Sequence, residues 1–178
     1  MWRRAVIRGM VAGAAGAAAM TAVEKLEQAW SGRPDSHVPG LTLGRLAGLP
    51  EQWAQRSQAG NLAMHAGQGV LLGALRGVMA ASGLRGPWAS GMFFAVRLTN
   101  DQVLENATGV GAPPWTWPRE ELALDLAHKA VYAFVTGAVA DRLVARLGLG
   151  PGRVHAAARP GRRSDAGPPP RGAGLRPG

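Results

Sequence analysis

A small set of ionisable side chains falls inside otherwise apolar stretches: Glu24, His65, Arg97, Asp101, Glu105, Asp125 and His128. Histidine titrates near neutrality and a neighbouring carboxylate moves its pKa, so such a set would form a proton-responsive site. Two histidines on adjacent helices would also be able to ligate a b-type haem or a metal. Against this, DLAH at residues 125–128 is a single copy, and no repeated Glu-x-x-His unit builds a di-metal bundle. The same groups would serve equally as a buried hydrogen-bond cluster that fixes helix packing. Neither a metal nor a cofactor is expected, and no residue is assigned a catalytic role. The chain has no cysteine, which excludes thiolate chemistry, disulfides and cysteine-held metal centres. Walker and HExxH sequences are absent, and the glycine-rich runs GAAGAAAM and GQGVLLG do not follow a strand as a dinucleotide fingerprint would. His37 and His155 fall in a loop and a tail and read as solvated.

Four apolar stretches must position these groups, predicting spans at residues 5–28, 61–83, 87–106 and 118–147. A bilayer core needs about 20 helical residues, so each is long enough. Pro87 and Pro118 suit a first helical turn, and Glu120 and Glu121 complement the positive end of the last helix. Gly9 and Gly13 form one row of small residues four apart, and Gly69, Gly73 and Gly77 form another. Such rows let helices approach closely, so Glu24 and His65, which continue them, are expected to face protein. On the last span Glu121, Asp125, His128, Tyr132, Thr136 and Ala140 share one face, leaving Leu122, Leu126 and Phe134 for the acyl chains. A faint repeat, His65 to Gly73-Ala74 and His128 to Gly137-Ala138, places the two histidines at similar depth.

Between the first two spans, residues 31–40, broken by two prolines, read as extended or turning chain, and residues 41–58 as one or two short interfacial helices with Trp53 at headgroup level. Residues 109–118 form a rigid loop carrying Trp115 and Trp117. The final two turns, DRLVARL, are expected to project past the bilayer, since thirty-odd residues at about 1.5 Å each outreach a core of about 30 Å. Residues 148–178 have too little apolar content to fold and read as a disordered basic tail, leaving residues 1–147 as the membrane domain.

Lipid rather than water is the expected surrounding. A soluble bundle needs a charged outward face on every helix, yet residues 11–23 carry no charge and residues 61–81 only Arg76. With the amino terminus in the cytoplasm, twelve basic residues fall inside and five outside, which follows the positive-inside rule. A cleaved signal peptide is the competing reading of the first stretch, but it leaves three further apolar segments unexplained. Mean hydropathy is only −0.02, which points to short, glycine-rich spans. The net charge of +9 would fit nucleic acid, but no aromatic residue is interleaved among the tail arginines for base stacking. Anionic lipid at the cytoplasmic face is a cheaper explanation of the tail arginines than RNA, and a simply solvated tail comes before either. The fold class is therefore an all-α, integral membrane four-helix bundle with both termini cytoplasmic.

The order of elements carries a resemblance. MTAVEKLE closing the first span, the GRPDSHVP loop, a second span opening on histidine and glycines, PPWTW, and ELALDLAHKAVYAFVTGAVADRL resemble the YagU-like small bacterial inner-membrane proteins, most closely their actinobacterial relatives. The likeness covers residues 9–147 and omits the tail. It implies a multi-pass inner-membrane protein with no established biochemical activity, one member of the group being associated with acid tolerance, with a homodimer as one possible state; a structural or envelope role without enzymatic activity is the expectation drawn here. Arg97 and Asp101 depart from the mostly apolar third span of that family.

Overall fold

The computed structural model describes residues 1–50, 52, 58–152 and 154. Among them every regular element is helical: α1 (Trp2–Ser31), α2 (Val38–Leu46), α3 (Gln58–Ser82), α4 (Gly86–Ala107), a 3₁₀ turn (Pro114–Thr116) and α5 (Arg119–Ala145). The all-α expectation holds, and the four long helices fall on the four apolar stretches. Two of them, α1 and α5, are long and apolar enough to cross a membrane.

Local chemistry sets the ends. Gly32 stops α1 in the left-handed conformation, φ 72°, and its N–H returns to the Gln28 carbonyl at 2.9 Å. Glycine adopts that conformation without the Cβ clash other residues suffer. Irregular chain then covers only residues 32–37, because α2 starts earlier than expected, at Val38. Pro39 is the reason: in a first turn its missing N–H leaves nothing unpaired, so it opens a helix instead of breaking one. Asn61, in the first turns of α3, anchors this segment. Its side-chain oxygen accepts from the Gly40 N–H at 2.5 Å, and its amide donates to the Ser36 carbonyl at 2.8 Å. Trp53 and most of the expected interfacial stretch beyond Leu49 lie outside the described residues.

Glycine spacing fixes how the long helices meet. A Cβ on Gly9 would stand 2.8 Å from the Gly77 Cα, and one on Gly13 would stand 2.8 Å from the Gly73 Cα. The two glycine rows therefore interlock backbone to backbone, with α1 and α3 antiparallel. Close approach of this kind collects many weak dispersion contacts. On α1's other side, Gly16 opens room for Tyr132 of α5, whose ring edge would lie 3.1 Å from an added Cβ. Helix α4 packs chiefly on α5, where Gly137 admits Ser90. Hence α1 and α4 run one way, and α3 and α5 the other.

The end of α5 packs on the starts and ends of its neighbours. Val144 is fully buried with Ala5, Ala80 and Ala81, and Arg8 Nη1 donates to the Leu143 carbonyl at 2.6 Å. The chain past Gly148 doubles back so that Gly150 is buried against Ala81. Residue 153 and residues 155–178, the bulk of the expected disordered tail, lie outside the described residues.

Candidate functional site

Helix α4 carries Arg97, Asp101 and Glu105 at intervals of four, so one face presents all three to α5. Arg97 Nε lies 3.1 Å from Asp101 Oδ2, and Lys129 Nζ reaches the same oxygen at 3.3 Å. Lys129 also holds Asp125, one turn back on α5, at 2.6 Å. Two cations and two carboxylates therefore alternate across the α4–α5 contact. Arg97 and Asp101 are each 3% exposed, so water screens little of this attraction.

Tyr132 ties the ion chain to the rest of the bundle. The Arg97 guanidinium lies 5.1 Å from the centre of its ring, a cation–π contact, and Phe93 packs against the same ring at 5.7 Å. Its hydroxyl donates to the Gly69 carbonyl of α3 at 2.6 Å. Because α3 and α5 run parallel, this bond also sets histidine depth. His65 lies four residues before Gly69 and His128 four before Tyr132, so both sit one turn above it, at one level.

Above Tyr132 the helices part and enclose a cavity of about 570 Å³, open at one end of the bundle. Glu24, His65, Arg97, Asp101, Asp125 and His128 all line it, as do Glu105 and Lys129. The structure thus gathers the whole expected polar cluster around one space. The gathering has two tiers. Arg97, Asp101 and Asp125 are bound into the ion chain, whereas Glu24, His65, Glu105 and His128 border the cavity with no hydrogen bond among the described residues. The buried Nε2 of His65 and Nη1 of Arg97 have no hydrogen-bond partner. Arg97 Nε is an ion-pair neighbour of Asp101 by distance, but its N–H is not aimed at the oxygen.

The rim is built from the loop after α1. Glu27 accepts from Arg33 Nη2 at 2.8 Å, and Lys25 holds Asp35. The Lys25 ammonium bonded to Asp35 keeps that carboxyl below the ordinary aspartate range, and the Glu27 bond raises the Arg33 guanidinium further. Among the described residues no group of three or more His, Asp or Glu is placed to hold a metal ion.

Residue types alone missed two partners. Lys129 belongs to the cluster although only its neighbours were picked out; its signal was the four-residue spacing from Asp125. At the opposite end of the bundle, Arg76, fully buried on α3, pairs with Asp141 of α5 at 2.8 Å. The second oxygen of Asp141 accepts from the Gly86 N–H at 2.8 Å, placing a carboxylate on the positive end of α4. The signal was a lone charge in an otherwise apolar stretch, which needs a counterion once buried. No family model matches the chain, and neither a curated protein nor a solved structure matches it.

Proposed function

We propose that this chain is a four-span inner-membrane protein, not an enzyme, whose helices hold a polar vestibule open to the outer face, with both termini in the cytoplasm. One observation carries the reading: the polarity of the helix surfaces is inverted. The mid-helix charges Arg76, Arg97, Asp101 and Lys129 turn inward and are buried, while Leu71 is 70% exposed, Val11 56% and Phe134 46%. Water as solvent would reward the opposite arrangement at about 25 cal/mol per Å² of apolar surface. In lipid the inversion follows, since a charge in a span costs about 2.5 to 3.5 kcal/mol on insertion scales and is relieved only by partners inside the bundle.

The ends of the bundle support the orientation. Arg3, Arg4, Arg8, Arg85, Arg142 and Arg146 gather at the end away from the cavity, as the cytoplasmic side of a span requires. The ion chain then serves two purposes. It fastens α4, which has little other contact, to α5, and it keeps the vestibule polar and wet. A structural, envelope-protective role of the kind implied by the YagU-like resemblance accords with this, in a monomer or a homodimer.

A second reading, a pathway for a small solute or protons, is favoured by the cavity itself. The lining of the cavity reaches down to Met20, Gln68 and Arg97, and beyond them the glycine rows of α1 and α3 meet backbone to backbone, so the space reads as a vestibule. Topology tests the proposal. The chain lacks cysteine, so single cysteines at Ala47, Arg85, Gly111 and Arg142 report cleanly. Intact spheroplasts treated with an impermeant maleimide should label the first and third of these sites. The other two should react only after lysis, and labelling of all four in intact cells would overturn the four-span reading.

A further inference from the structure

The vestibule carries groups that its own contacts leave unused, and their chemistry describes a ligand. Asp101 and Asp125 are matched by Arg97 and Lys129 within the ion chain. Glu24 and Glu105 border the same cavity with no described hydrogen bond or ion pair, so the walls keep an excess of negative charge. Deep in the cavity the balance reverses: Arg97, 3% exposed, has its Nη1 unpartnered, and so does the buried Nε2 of His65. A buried guanidinium with unspent N–H groups calls for an oxygen acceptor, best an anionic one. A simple anion would meet the carboxylate excess, and a simple cation would leave Arg97 unanswered.

Resting on the vestibule reading, we propose that this cavity binds a small zwitterion of the amino-carboxylate class. The carboxylate of the ligand sits on Arg97 and His65, and its ammonium group sits between Glu24 and Glu105. Packing registers give the length. Arg97 lies at the level of Tyr132, whereas Glu105 stands eight residues further along α4, roughly 12 Å higher at about 1.5 Å per residue. Glu24 stands eight residues beyond Gly16, which itself abuts Tyr132 and Thr136, so it reaches the level of Asp125. Its height above Arg97 is then roughly 7 to 10 Å by the same rise. A flexible chain of about five carbons spans the lower end of that range, and glycine does not.

Calorimetry on the purified full chain in lipid nanodiscs at neutral pH tests this, with glycine, 5-aminopentanoate, pentanoate and pentylamine as probes. The expected result is saturable binding of 5-aminopentanoate, with each other probe at least about tenfold weaker, the equivalent of one lost charge-assisted contact. Arg97→Lys should weaken 5-aminopentanoate binding by a similar factor, because lysine lacks the planar fork. Should that variant fail to assemble, the double variant Glu24→Gln, Glu105→Gln decides, since neither carboxylate holds a described partner. It should retain helicity and elution profile and lose roughly tenfold in affinity. Equal binding of pentylamine, unchanged affinity in the double variant, or no saturable binding of 5-aminopentanoate would overturn the proposal. The cysteine-labelling pattern separates the two levels: alternating labels without binding dismiss the ligand and keep the vestibule, and one-sided labels dismiss the vestibule.

Discussion

Tyr132 shows how one side chain joins three helices: its ring fills the space left by Gly16, its face carries Arg97, and its hydroxyl bonds the Gly69 carbonyl. Tyr132→Phe removes only the hydroxyl bond and should cost roughly 0.6 to 1.7 kcal/mol, the range for hydrogen bonds between membrane helices. Reversible unfolding in mixed detergent micelles measures it; no loss would mean the hydroxyl finds an equal partner when the helices separate. Lys129→Met is expected to be harsher, about 3 kcal/mol or more, because Asp101 and Asp125 would face each other with one cation fewer. At the rim, Asp35 gives a pH dependence whose sign is fixed. Its carboxyl is held below the ordinary value by Lys25, so the latch is complete above the ordinary aspartate value of about 3.9 and is lost as pH falls through the lowered folded value. Amide exchange in residues 32–37, corrected for intrinsic rates, should accelerate only in that acidic window. Acceleration between pH 6 and 5 would assign the loop to another group. Residue types were enough to pick out the cluster, because a charge among apolar neighbours announces itself. They did not reveal which members bond: Lys129 and Asp101 meet across helices, and no spacing along the chain encodes that distance.

Helix pairing rests on glycine rows, and these were visible as spacing before any contact was. Gly73→Ala should separate α1 from α3, since its Cβ would lie 2.5 Å from the Gly13 Cα and 2.7 Å from the Gly13 nitrogen, backbone atoms that cannot rotate aside. Overpacking of this kind typically costs about 1 to 3 kcal/mol. Gly67→Ala is the control: nothing stands within 4 Å of its added Cβ, so it should leave stability equal or slightly higher through helix propensity. Detergent unfolding midpoints compare the two, and equal behaviour would mean the glycine rows are not the contact. Periodicity located the four long helices because lipid-length apolar stretches and their proline and glycine boundaries are local signals. It misplaced the start of α2, where Pro39 opens a helix that a count of prolines reads as broken chain. It also missed the return of Gly150 onto Ala81, since a single small residue with no side chain leaves no hydrophobic signal.

At the scale of the whole molecule an inverted surface, a charge-paired interior and an asymmetric distribution of arginine along one axis occur together. None of these is a property of one segment. The vestibule required the antiparallel registers of α1 with α3 and of α4 with α5, which no single segment encodes. The most direct test of the central claim, that lipid covers the outward faces and water fills the cavity, is spin-label accessibility in liposomes. Labels would be placed singly at Leu71, Phe134 and Glu24. The account predicts that Leu71 and Phe134 relax strongly with oxygen and weakly with a polar nickel chelate, while Glu24 shows the reverse. Strong relaxation of the Leu71 and Phe134 labels by the nickel chelate would contradict it.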